Sequence, residues 1–124
     1  MDQVGEEIVG GPAAADINSP VMAGFIERCA RSGTRLDFVS HHLYSDSPAA
    51  HGQRAAQARR LLAERGLRAE TLVTEFSPMF GRHSTADQAQ DSRRAGCVAA
   101  SILAMLEAGL DGSFHYHLWD QLCR

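Results

Sequence analysis

Glu75 closes the run Thr71 to Phe76 (TLVTEF). A carboxylate leaving an apolar strand must be paired, hydrogen-bonded or put to use, because a charge without compensation is costly there. Two readings follow: a salt bridge to an arginine, or a reactive carboxylate at the end of a strand. His42 and Tyr44 lie two residues apart in LDFVSHHLY (Leu36 to Tyr44). On a strand they share one face, while His41 and Leu43 point the other way. His42 reads as a hydrogen-bonded core histidine or as a site residue. Trp119 reads as packing, or as an aromatic platform for a sugar ring. His115 and His117 also share a face, and with Glu75 or His42 they form a candidate metal set, since catalytic zinc commonly takes three protein ligands. That spacing is a weaker signal than a helical H-E-x-x-H.

The elements that position these residues alternate. Ile8 to Pro12 is a short apolar run closed by turn residues, which predicts a first strand. Ser19-Pro20 supplies an N-cap and first helical residue, and Val21, Met22, Phe25, Ile26 and Cys29 follow at helical spacing before Gly33. Leu36 to Tyr44 predicts the second strand. Ser47-Pro48 caps a helix over Ala49 to Arg65, with Ala58, Leu61 and Leu62 as its apolar edge and Gly66 as its end. Thr71 to Phe76 is the third strand. A helix is expected from about Asp87 to Ala108, with Val98, Ala99, Ile102, Leu103 and Leu106 facing inward and Gly109 as its cap. Phe114 to Trp119 is the fourth strand.

Alternating strands and helices predict consecutive βαβ units, hence an α/β fold with parallel strands and right-handed crossovers. An open doubly wound sheet would give the same string, but Gly10-Gly11-Pro12 is no G-x-G-x-x-G loop. In parallel α/β folds the site lies at the C-terminal strand ends, where Gly11, His42, Tyr44, Glu75, Ser77, Trp119 and Asp120 would gather.

Composition narrows the chemistry. The chain has 124 residues, enough for one core but well short of the roughly 250 of a complete (β/α)8 barrel. All 12 basic residues are arginine, which excludes lysine Schiff-base chemistry and a P-loop lysine. Cys29, Cys97 and Cys123 are widely spaced, with no disulfide framework or zinc ribbon. A net charge of −3 gives nucleic acid no electrostatic footing. No run approaches the roughly 20 apolar residues of a membrane span, and Met1 to Gly10 lacks signal-peptide character, so a cytoplasmic protein is expected from the chain as given.

Taken in order, VGGPA (Val9 to Ala13), LDFVSHHLY, LVTEF, Asp91-Ser92 opening an alanine-rich helix, and YHLWD (Tyr116 to Asp120) resemble the second half of glycoside hydrolase family 39. That family includes β-xylosidases and α-L-iduronidases. Its pattern has G-G-P after the fifth barrel strand, D-F-x-S-x-H-x-Y in the sixth, T-E in the seventh and an aromatic with Asp in the eighth. The resemblance implies half of a (β/α)8 TIM barrel, strands five to eight, as a single partial catalytic domain over residues 1–124. It also implies a retaining, β-xylosidase-like glycoside hydrolase. Glu75 would be the catalytic nucleophile, His42 and Tyr44 would hold it and contact the sugar, and Trp119 would shape the floor of the sugar subsite.

The eighth strand departs from the pattern, since two residues separate Tyr116 from Trp119. A larger departure is that the family's acid/base glutamate lies in an N-E-P motif, which this chain lacks. Retaining hydrolysis needs a second carboxyl group about 5–5.5 Å from the nucleophile. Neither Asp46 nor Asp120 matches the family's acid. The isolated chain is therefore expected to be inactive. Expected partners are an oligosaccharide or glycoside substrate and a complementary half-barrel or a second copy, with no nucleic acid, membrane, cofactor or resident metal. The alternatives are a metal-dependent barrel hydrolase built on His42, His115, His117 and Glu75, and a non-catalytic carbohydrate-binding remnant.

Overall fold

A computed structural model describes residues 7–79 and 92–116 of the chain. Their order is β1 (Gly10–Ala14), α1 (Pro20–Ser32), β2 (Phe38–Tyr44), α2 (Pro48–Ala63), β3 (Glu70–Ser77), α3 (Ser92–Glu107) and β4 (Gly112–His115). The four strands form one sheet in the order β1-β2-β3-β4, and each neighbouring pair is parallel. Sequential parallel neighbours joined by helices are the arrangement of half a (β/α)8 barrel. Among the described residues no helix is long and apolar enough to cross a membrane.

The helices begin and end where local chemistry directs. The Ser19 hydroxyl accepts from the Val21 amide at 3.2 Å and Pro20 opens α1, a start that leaves few amide donors unsatisfied. Met22, Ile26 and Cys29 form its buried stripe, whereas Val21 faces solvent. Gly33 ends the helix at φ 65°, a left-handed turn that favours glycine. Ser47 and Pro48 repeat the start for α2, whose buried stripe is His51, Ala55, Ala58 and Leu62. Gly52 lets α2 lie tight against α3, since a Cβ there would sit 2.9 Å from the Ala104 carbonyl oxygen.

Three expectations shift. β1 runs from Gly10 to Ala14, two residues later than the apolar run suggests, and Ile8 and Val9 are exposed. In α3 the buried face is Cys97, Ser101 and Met105, with Val98 and Ile102 beside it. Leu103 and Leu106, expected to face inward, are each 61% exposed. A sequence of alanines, serine and leucines has a broad apolar arc, and packing against α2 through small residues selected its Ser101 side. β4 begins at Gly112 rather than Phe114 because Asp111 pins its start: the Asp111 carboxylate accepts from the Thr71 amide at 2.7 Å and pairs with Arg59 at 2.9 Å. The expected helix portion before Ser92, and the strand beyond Tyr116, lie outside the described residues.

Two apolar clusters fill the layer between sheet and helices. Val39 joins the α1 stripe in one; Leu43, Val73 and Phe76 join Met105 and Leu110 in the other. The opposite face of the sheet would be the barrel lumen. It carries Phe38, Ser40, His42 and Tyr44 on β2, and it is the face on which the candidate site stands.

Candidate active site

Strict alternation would have turned Glu75 into the helix layer. Val73 is completely buried there, and a residue two positions on shares its face. The sheet avoids this through a bulge. The register runs His41↔Val73 and then His42↔Glu75, so Thr74 is an extra residue opposite β2. The same extra residue appears against β4, where Val73↔Ser113 is followed by Phe76↔His115. Val73 and Phe76, three residues apart, therefore share one apolar cluster, and Glu75 swings to the lumen face. The Thr74 hydroxyl reaches the His41 carbonyl oxygen at 3.4 Å, bridging the bulge to β2.

Glu75 thereby meets His42. The His42 Nδ1 lies 3.4 Å from Glu75 Oε2, and both side chains are roughly a quarter exposed, at 29% and 26%. The pair is open to a ligand rather than sealed in the core, and no arginine occupies the carboxylate among the described residues. Tyr44, 36% exposed, is in register with Ser77, one layer nearer the strand ends. His41 and Leu43 are buried on the helix side, at 0% and 4%.

A second bulge shapes the neighbouring strand. Pro12↔Ser40 is followed by Ala14↔His41, which leaves Ala13 extra, at φ 54°. The Ala13 amide donates to the lumen-facing Ser40 hydroxyl at 3.0 Å. Bulges of this kind re-aim side chains beside sites.

Two residues at the site escaped the sequence reading. Phe114 falls on β4 opposite the Thr74–Glu75 bulge and is 60% exposed, so Glu75 stands between His42 on one side and an uncovered aromatic on the other. Its exposure was not legible because Phe114 looks like any strand hydrophobe. The second is Arg94, whose Nη2 donates to the Ser77 hydroxyl at 2.9 Å at the strand end. Its signal was present: two arginines in the first turn of a helix oppose the helix dipole, a local cost that invites explanation.

Of the metal alternative's four residues, His42, Glu75 and His115 lie among the described residues. His115 packs edge-on against Phe76, with ring centroids 5.4 Å apart, and so is drawn to the helix side, away from Glu75. No group of three His, Cys, Asp or Glu side chains gathers among the described residues. Asp46 is engaged as well, accepting from the Met79 amide at 2.5 Å. Trp119, His117 and Asp120 lie outside the described residues.

The buried histidines are structural. His51 Nδ1 lies 3.0 Å from the Ser47 carbonyl oxygen and 3.2 Å from the Ser101 hydroxyl, and its ring meets Phe76 edge-on at 5.7 Å. His41 Nδ1 lies 3.2 Å from the His42 carbonyl oxygen. Burial outweighs these contacts and holds both imidazoles below their ordinary pKa.

Known structures share this fold. A glucosidase from Croceicoccus marinus superposes with a TM-score of 0.65 at 24% identity, over 90% of this chain and 23% of that one. A GH128 subgroup I endo-β-1,3-glucanase from Amycolatopsis mediterranei matches with a TM-score of 0.60 at 18% identity, over 90% of this chain and 47% of that one. The same enzyme in complex with laminaripentaose gives 0.60 at 22% identity. The chain thus spans about half the glucanase and a quarter of the glucosidase. No protein-family model and no curated protein sequence matches it.

Proposed function

We propose that the chain is the nucleophile-bearing half of a retaining glycoside hydrolase barrel, with Glu75 as the nucleophile. The observation that carries this reading is the Thr74 bulge, which lifts one carboxylate out of an apolar strand and sets it beside His42 on the lumen face. His42 orients the carboxylate, and Tyr44 and Trp119 contact the sugar. The glycosidase folds it resembles support the reaction class, and the motif resemblance to family 39 supports β-xylosides as substrates. β-1,3-linked glucosides are the second class to try.

The step assigned to Glu75 is the first of the two displacements of a retaining mechanism. A carboxylate oxygen attacks the anomeric carbon, a glycosyl ester forms, and the bond to the leaving oxygen breaks with its electron pair. An ordinary leaving group needs a proton from a second carboxyl group about 5–5.5 Å away. A dinitrophenolate or fluoride needs none. A 2-fluoro-xylosyl or 2-fluoro-glucosyl fluoride should therefore add one sugar to the chain, located on the Glu75 peptide by mass spectrometry and absent in Glu75→Gln. Unlabelled Glu75 with either sugar would defeat the assignment. If the sugars bind by calorimetry without labelling, the carbohydrate-binding remnant takes its place.

A further inference from the structure

Among the described residues, the partly buried arginines are Arg54, Arg65 and Arg94. Arg54 pairs with Asp16 at 3.0 Å and Arg65 with Glu27 at 3.3 Å. Arg94 meets no carboxylate among the described residues; its Nη2 donates to the neutral Ser77 hydroxyl at 2.9 Å, which leaves most of the guanidinium's N–H donors uncommitted. Burial strips water from a cation, so a guanidinium in such a place is ordinarily matched by an anion. The position of Arg94 adds a second cost, because a cation in the first turn of a helix opposes the helix dipole.

The place of this charge ties it to the site. Ser77 ends β3, is 3% exposed and stands in register with Tyr44 on the lumen face. Glu75 precedes it by two residues on that face, about 7 Å along the strand. The guanidinium therefore lies at the C-terminal rim, where parallel α/β barrels take their ligands. β3 is an inner strand, with β2 on one side and β4 on the other, so Arg94 stands over neither edge of the sheet. Glu75 itself faces His42 and does not neutralise the arginine.

We infer that Arg94 binds a carboxylate carried by the sugar ligand, so that the site selects acidic oligosaccharides, with a uronic acid carboxylate on Arg94 and a neighbouring ring at Glu75. A guanidinium suits this role because its parallel N–H groups match the two oxygens of a carboxylate. The inference rests on the reading of the rim as a sugar site and adds to it the charge of the ligand.

The probe is a xylotriose bearing one glucuronic acid, set against its own methyl ester, which removes the charge and keeps the sugars. Calorimetry at low salt should show the acid binding the purified chain at least about tenfold more tightly than the ester, as a charge-assisted hydrogen bond warrants. Arg94→Gln should bind both at the affinity of the ester, and Arg94→Lys should keep part of the preference. Because Arg94→Gln removes a cation from the first helical turn, its thermal midpoint should match or exceed that of the parent. Equal affinities in the parent, or a preference that survives Arg94→Gln, would overturn the inference. A lowered midpoint in Arg94→Gln with its preference intact would assign the side chain to the fold instead. The two readings also separate: Glu75 labelled by the neutral 2-fluoro-xylosyl fluoride, with no preference for the acid, removes this inference alone. Failure to bind either sugar, with Glu75 unlabelled, removes both.

Discussion

A histidine held neutral inside a fold links stability to pH. His41 and His51 are wholly buried, and the Nε2 of each has no hydrogen-bond partner among the described residues. Around His41, the His42 carbonyl and Asp16 favour its charged form, while the His42 ring and Arg54 oppose it; desolvation exceeds them all. Both imidazoles titrate lower in the folded than in the unfolded chain, where the pKa is about 6.5. Below that value the unfolded chain takes up protons that the folded chain refuses, so stability is full at neutral pH and falls on acidification. The slope reaches about 1.4 kcal/mol per pH unit for each group. Urea midpoints should therefore drop between about pH 7.5 and pH 5, and His51→Asn, though weaker at neutral pH, should show a shallower decline. A flat profile in the parent chain would contradict the burial argument. The residue types were legible from the sequence at this scale: the alternation of LDFVSHHLY separated His42 from His41, and the structure sets the two on opposite faces. His51 was not, because a histidine in an alanine-rich helix carries no mark of burial.

At the scale of elements, the decisive feature is one surplus residue in β3. Because Thr74 bulges out of the ladder, a strand whose strict alternation would bury Glu75 beside Val73 instead buries Phe76 and frees the carboxylate. Deleting Thr74 should remove the bulge and leave Val73, Glu75 and Phe76 alternating in the register they already hold against His41, His42 and Leu43, with Glu75 still on the lumen face. Because no charge becomes buried, the loss should be about 1 kcal/mol or less, seen as a nearly unchanged thermal midpoint. A loss of ~3 kcal/mol or more would mean that packing across the sheet does not hold this register. The helix starts at Ser19-Pro20 and Ser47-Pro48 and the turn at Gly33 were readable, since caps are local chemistry. The inward face of α3 was not: Leu103 and Leu106 are good core residues by type, and only the close approach of Gly52 to Ala104 rotated them outward.

For the whole molecule, four parallel strands make one wall of a barrel, and a wall does not enclose a reaction. An unactivated aryl xyloside should show no turnover with the pure chain, because no N-E-P acid is present to protonate the leaving oxygen. Hydrolysis that disappears in Glu75→Gln would prove this wrong and point to an acid from elsewhere in the chain or its partner. Alternating helix and strand periods, with caps between them, determined an α/β chain of parallel strands, because such patterns depend on neighbours a few residues apart. That His42 and Glu75 share a strand-end rim also follows from those periods. Tertiary structure alone decided that the carboxylate reaches the lumen, that His115 turns away from it, and that Phe114 stands uncovered beside it. Each of these depends on the register between strands, and register is fixed by packing across the sheet, where residues distant in sequence compete for the same space.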